Sequence, residues 1–477
     1  MQQVYEINVR TWCDERSTAL GRKATLDDLE HEFFDRLVED GFTWIYLLGV
    51  WPTGPLSLAV SQADGHLRRY LEQVIPNFRD QDVTGSLFAV SGYEVDPGLG
   101  GDLALERLRD RARSSGLALM LDFIPNHTGL DHPWLREHPE WFIRGDERAL
   151  RERPDAHVRV GQHVFAHGKD PFFPPWQASA QLDYAIEAVQ EAMSQAASSV
   201  AARCDGVRCD MAMLLLPDVF EKTWGRRMPA FWRKCLDRVR AEHPGTLFMA
   251  EVYWNREWEL QQAGFDFTYD KILYDRLREG DPELIRAHLR AATDYQAHCV
   301  RFLENHEEQR AAAVFTDPRH YRGALHLAAM VPGMFLSHSG QEDGRTLHSS
   351  LHCARRPPET GSEAHAAAYR EVMHLLMEPA RRDGQWQLLE ARGSHPIIGS
   401  LWSRPGHHSL VVAVNASWRE ASGALEPGSA GNRDCQLQDR SGGGAAQTVT
   451  VKQLRDHGIK VSLPPWGVQV YRLVTQK

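Results

Sequence analysis

The chain has 477 residues, 42% of them hydrophobic, with 64 acidic against 54 basic residues and a formal net charge of -10. That length exceeds one ordinary core of roughly 100–200 residues, but it suits an α/β barrel of about 250 residues carrying additions. Mild acidity without an extended basic face argues against nucleic acid as a partner, and no run approaches the ~18 apolar residues of a membrane helix.

The first six residues show no basic stretch followed by an apolar one, so no secretory signal is expected. Short apolar runs then recur at 4–9, 43–48, 117–123, 205–211, 247–252, 264–267, 299–303 and 333–337. Amphipathic stretches separate them, at 103–114, 186–202 and 231–243; the last places Phe231, Cys235 and Val239 four apart. Strand–helix alternation implies parallel strands joined by crossover helices. Eight repeats predict an α/β fold, a closed (β/α)8 TIM barrel.

Two regions break the rhythm. Residues 128–184 are rich in Pro, His, Trp and Arg and read as a small insertion after the third strand. From 388 the helical pattern gives way to strand-like runs at 410–414, 447–451 and 468–473, with a Gly-rich turn at 442–444 and a loop-like Gly/Ser composition over 423–444. The expected layout is a barrel over 1–127 and 185–387, an inserted subdomain over 128–184, and a C-terminal β-sandwich over 388–477.

Seven cysteines, Cys13, Cys204, Cys209, Cys235, Cys299, Cys353 and Cys435, are odd in number and irregular in spacing. No C-x-x-C pair supports a zinc or redox site. Reduced thiols and a cytoplasmic location are expected. The sequons at Asn126 and Asn415 read as chance. Gly98-Leu99-Gly100-Gly101 lacks the spacing of a dinucleotide fingerprint.

In such a barrel, chemistry sits at the C-terminal ends of the strands. Strand three ends in Asp122 to His127, strand four in Gly206-Val207-Arg208-Cys209-Asp210, strand five in Glu251, and strand seven in Asn305-His306-Glu307. Retaining glycoside hydrolysis needs one ionised carboxylate as nucleophile and one protonated carboxyl as acid. Arg208 and Asp210 are two apart on a strand and share a face, so Arg208 is expected to keep Asp210 ionised. Glu251 lies in an apolar run that is expected to raise its pKa. Asp122 is placed to orient Arg208.

These four segments, in this order, resemble the signature regions of the α-amylase family, glycoside hydrolase family 13: D-x-x-x-N-H, G-x-R-x-D, a Glu on strand five, and N-H-D. The matching residues are Asp122, Asn126, His127, Gly206, Arg208, Asp210, Glu251, Asn305 and His306. The resemblance implies Asp210 as nucleophile, Glu251 as acid/base, and Arg208, His127 and His306 holding the sugar before the scissile bond. It places Phe88 at a stacking position, beside Tyr93. Trp254, three residues past Glu251, is a candidate sugar contact. The implied partner is an α-glucan or oligosaccharide; the sequence sets no oligomeric state.

Three departures stand out. Glu307 occupies the place of the family's third catalytic Asp, one methylene longer. Gly92 replaces an Asp before Tyr93, and Met213-Leu214 replaces a Lys-His after the nucleophile. Asn126 matches one ligand position of calcium-binding members, but Gln181 stands where they use Asp, so no metal or other cofactor is expected. The leading reading is a hydrolase or transglycosylase of α-glucosidic bonds. The alternatives are a catalytically impaired glucan-binding protein and a sugar isomerase or phosphorylase on the same fold.

Overall fold

A computed structural model describes residues 2–427, 434–440 and 447–475. The expected Gly-rich turn at 442–444 lies outside the described residues, as does part of the 423–444 stretch.

Eight parallel strands close into a barrel: β1 (Gln3–Asn8), β2 (Trp44–Leu48), β3 (Ala118–Phe123), β4 (Gly206–Cys209), β5 (Leu247–Ala250), β6 (Phe267–Tyr269), β7 (Cys299–Arg301) and β8 (Met334–His338). Seven of the expected runs carry one, and the sixth strand begins only at Phe267, the last residue of its expected run 264–267. Closure is made by β1, which pairs with β2 and with β8, Gln3 opposite Phe335. Strands covered by helices outside and by packed side chains inside read as continuous apolar runs; every residue of β1, β2 and β8 is buried.

The crossover helices follow their expected segments: Gly101–Ser115, Glu187–Ala202 and Trp232–Glu242. Phe231, Cys235 and Val239 are all buried, as their spacing requires. No described helix is long and apolar enough to cross a membrane.

After β3 the chain leaves the barrel. The excursion holds two small antiparallel pairs, His127–Gly129 with Ser179–Gln181 and His157–Val160 with His163–Ala166. It rejoins at the helix Glu187–Ala202, which leads into β4. The C-terminal region forms two antiparallel sheets. The larger runs in the order Gln385–Leu389, Ile397–Ser403, Ser409–Asn415, Val468–Thr475, Cys435–Asp439, Gln447–Val449; the smaller joins Ala391–Arg392, Ala421–Leu425 and Ile459–Leu463. The first of these strands begins three residues before the expected boundary at 388.

Two cores result. Leu389, Leu401, Val411, Leu425 and Val461 pack between the two C-terminal sheets. The opposite face of the larger sheet joins the barrel's own core through Trp402, Val412, Val414 and Trp466. Trp402 Nε1 donates to the Met330 carbonyl at 2.9 Å, and the Trp466 ring lies 4.0 Å from His320. Both sequon asparagines are buried, and Asn415 Nδ2 donates to three carbonyls.

Candidate active site

Strand register brings the signature residues to one height. Asp122 on β3 stands opposite Arg208 on β4. Cys209 stands opposite Ala250 on β5, and the next residues on each strand are Asp210 and Glu251. The ladder continues one step past the strands: Asp210 N–H donates to Phe123 O (2.9 Å), and Glu251 N–H to Cys209 O (3.0 Å). The carboxylates therefore sit on backbone fixed by sheet hydrogen bonds.

Arg208 is the hub. It is completely buried and donates to Asp122 Oδ1 (3.2 Å), Asp210 Oδ1 (2.9 Å) and Glu251 Oε2 (2.8 Å). His306 Nε2 lies at 3.5 Å, and the Phe88 ring centre lies 5.2 Å from the guanidinium carbon. A buried guanidinium is tolerated only when its donors meet anions, and the planar fork reaches several at once. The shared face of Arg208 and Asp210, and the contact from Asp122, are as expected. Tyr46 adds a second hold on Asp122 Oδ1 at 2.6 Å.

The protonation pattern differs from expectation. Burial and the charge on Glu251 push Asp210 well above the carboxylate range, although Arg208 opposes them. Burial works to raise Glu251 too, but Arg208, a bond with Glu307 and the Met211 N–H (2.8 Å) outweigh it and hold Glu251 low. The reason is that Arg208 serves both groups, so it does not select Asp210. Desolvation at the cleft floor and the charge on Glu251 push Glu307 up, although 37% of its side chain stays open to the cleft.

His306 hangs from a buried carboxylate that sequence reasoning missed. Glu6 Oε1 meets His306 Nδ1 at 2.5 Å, and Glu6 Oε2 lies 3.0 Å from His338 Nδ1. Burial alone would raise Glu6, but the two imidazoles hold it far below its ordinary value. The signal was available: an acid at the third-from-last position of an otherwise buried first strand.

Tyr253, also missed, stands between two carboxyls, its hydroxyl 2.8 Å from Glu251 Oε1 and 3.0 Å from Glu307 Oε2. Asn305 is buried, and its Oδ1 accepts from the N–H groups of Glu307 and Glu308, both at 2.9 Å. Tyr93 likewise acts on backbone: its hydroxyl donates to Ile124 O (2.9 Å) and accepts from Ile124 N–H (3.0 Å). Met211, directly after Asp210, takes a left-handed φ of 44°.

A cleft opens above these groups in two lobes that share Trp176, Met211 and Glu307. One, of about 790 Å³, is lined by Phe88, His127 and Asp210. The other, of about 820 Å³, is lined by Phe173, Tyr253, Trp254 and Lys271. His127 stacks toward Trp176 (5.1 Å), and Phe88 toward His306 (5.3 Å). Burial lowers His127 to about 4, so it is neutral in the folded protein. Trp254 is half-buried against Phe172, ring centres 4.9 Å apart. Met213 and Leu214 are buried. The residues at the calcium position do not fit a cation. The Gln181 amide nitrogen donates to Asn126 O (2.9 Å) and Oδ1 (3.1 Å), engaging the oxygens an ion would need.

Residues 75–394 match the model of the α-amylase catalytic domain. This chain belongs to the α-amylase family. It is 26% identical over 265 residues to the α-amylase MalA of Haloarcula japonica, covering 53% of this chain and 35% of that protein. It is 28% identical over 289 residues to an α-1,4-glucan:maltose-1-phosphate maltosyltransferase of Burkholderia pseudomallei, covering 59% of this chain and 22% of that protein. The matches thus take in about a third or less of these curated relatives. Among solved structures, the maltogenic α-amylase AmyB of Thermotoga neapolitana superimposes with a TM-score of 0.71 at 20% identity, over 100% of this chain and 99% of that one. An α-amylase of Lactobacillus plantarum gives 0.67 at 20% identity, over 99% of each. Both likenesses are of fold, and they run over nearly the whole of each chain.

Proposed function

We propose that this α-amylase-family protein is a retaining glycosidase or transglycosylase acting on α-glucosidic bonds of α-glucans or maltooligosaccharides. The observation that carries this reading is the convergence of Asp210 and Glu251 on one buried guanidinium, beneath the meeting point of the two lobes.

Asp210 is the nucleophile and Glu251 the acid/base. Asp210 attacks the anomeric carbon, the bond to the leaving oxygen breaks, and Glu251 gives that oxygen its proton. Water or a sugar hydroxyl then displaces Asp210 and loses its proton to Glu251. Water gives hydrolysis and sugar gives transfer; the amylase and the maltosyltransferase among the relatives represent the two outcomes.

The acid step needs the proton on Glu251 and none on Asp210, the reverse of the free site. Asp210 gives up its proton to solvent in the cleft when Glu251 gains one. Once Glu251 is neutral, its charge no longer raises Asp210, and Arg208 favours the Asp210 carboxylate alone. Phe88, His127, Arg208 and His306 hold the sugar before the scissile bond, and Trp254 contacts the part beyond it. Asp122, Tyr93 and Asn305 act by positioning Arg208, Ile124 and Glu307. We also propose the three-part layout of barrel, insertion over 128–184 and C-terminal β domain from 385–388. Seven free, buried cysteines support a cytoplasmic home.

Incubation with maltooligosaccharides, with products followed by chromatography, tests this reading. Turnover that Asp210→Asn reduces by about 10³-fold or more is expected. Products longer than the substrate would mark transfer. Absence of turnover on every α-linked glucan or disaccharide, with or without phosphate, would refute it.

A further inference from the structure

The Tyr253 hydroxyl contacts Glu251 Oε1 at 2.8 Å and Glu307 Oε2 at 3.0 Å. A phenol has one hydrogen, so it donates to one carboxyl only. The other contact is a hydrogen bond only if that carboxyl donates to the phenol oxygen. Desolvation and the charge on Glu251 raise Glu307, which makes it the carboxyl of the trio able to donate to the phenol oxygen. Glu307 stands where the resembled family has Asp, and its side chain is one methylene longer. Its side chain keeps 37% of its surface open to the cleft, where a sugar hydroxyl can reach it.

We propose that Tyr253 relays a proton from Glu307 to Glu251, so that Glu307 is the reservoir that arms the acid. This rests on the glycosidase reading above and deepens it. The Glu307 Oε2–H bond breaks as a bond from that hydrogen to Tyr253 Oη forms. The phenol's own hydrogen leaves for Glu251 Oε1. One proton has moved from Glu307 to Glu251, and Tyr253 ends as it began. Burial, then the charge on Glu251, raise the phenol well above its ordinary value, so Tyr253 exchanges protons without standing as a phenolate. Glu307 is left as a carboxylate, able to accept from substrate hydroxyls. Arg208 and Asp210 face the trio from β4, His306 lies 4.0 Å from Glu307, and Lys271 and Glu308 face it across the second lobe.

Without the phenol the Glu307 proton loses its path to Glu251, and above neutral pH, where solvent protons are scarce, arming the acid slows. Tyr253→Phe is then expected to lower kcat at pH 7.5 roughly 10- to 100-fold, with KM changed less than about threefold and pH 5 activity largely kept. The alkaline limb of the kcat profile moves at least about one pH unit toward acid. Glu307→Asp, too short to reach the phenol, moves it the same way. Retained activity at pH 5 shows that the variant folds. A Tyr253→Phe profile superimposable on the wild type would overturn the relay in favour of direct exchange between Glu307 and Glu251. Infrared spectroscopy of the substrate-free protein gives a readout independent of turnover. The wild type minus Glu307→Gln difference spectrum at pH 7 is expected to contain a protonated-carboxyl C=O band, shifted in Tyr253→Phe; Asp210→Asn separates the contribution of Asp210. If wild type hydrolyses no glucan the glycosidase reading fails, while the infrared difference still decides whether Glu307 holds the proton that the relay needs; no such difference overturns it.

Discussion

Arg208 touches Asp122, Asp210 and Glu251 together, and that geometry depends on its planar fork. A lysine ammonium is a compact point charge and cannot hold three carboxylates in fixed directions. Arg208→Lys is therefore expected to lower kcat by about 10²-fold or more, as a misplacement near 1 Å does, with a smaller change in KM; steady-state kinetics on maltooligosaccharides checks it. Normal kcat would mean that charge alone suffices. At this scale the sequence was informative where residues are linked along the chain. Arg208 and Asp210 are two apart, and Asn305 to Glu307 are contiguous. Glu6 was missed because His306 lies 300 residues away, and Tyr253, although two residues past Glu251, because its bridging role needs Glu307, 54 residues on.

At the scale of elements, the barrel was readable from apolar runs, while the turns between them carry the constraint. Gly333 enters β8 at φ +112°, and a Cβ there would lie 2.2 Å from the Cys299 carbonyl oxygen at the start of β7. Gly333→Ala combines a left-handed backbone with a clash against backbone that cannot yield. We expect a loss of about 2–4 kcal/mol, seen as a lowered midpoint in urea unfolding. The loops after β4 and β5 hold strain of a related kind. Met211, Trp254 and Asn255 all have positive φ, a conformation costing roughly 1–3 kcal/mol at non-glycine residues. The strain places the Met211 N–H on Glu251 and Trp254 beside the second lobe. Neither feature is visible in composition.

The whole molecule ties its parts through buried imidazoles and a shared core. His127 and His132 are both lowered by burial to about 4. His132 Nδ1 also accepts the Trp134 N–H at 3.2 Å, which the protonated ring could not do. In the unfolded chain each titrates near 6.5. The folded values are depressed, so the stability they give is complete above about pH 6.5 and is lost as pH falls toward about 4, because the unfolded chain takes up protons the folded protein refuses. The loss is on the order of 1–2 kcal/mol per histidine at pH 5. Calorimetry should show Tm falling between pH 7.5 and pH 5; a flat Tm would contradict the burial of these rings.

The sequence by itself determined the eight strands, the insertion, the β-rich tail and the signature carboxylates, because alternation of apolar runs and short-range motifs are properties of the local chain. It did not determine where the protons sit. That depends on the tertiary structure, which aimed one guanidinium at three carboxylates, so that burial and the charge on Glu251 raise Asp210 while Arg208 holds Glu251 down. Coulomb attraction and desolvation depend on distance through space and on burial, and neither is encoded by position along the chain.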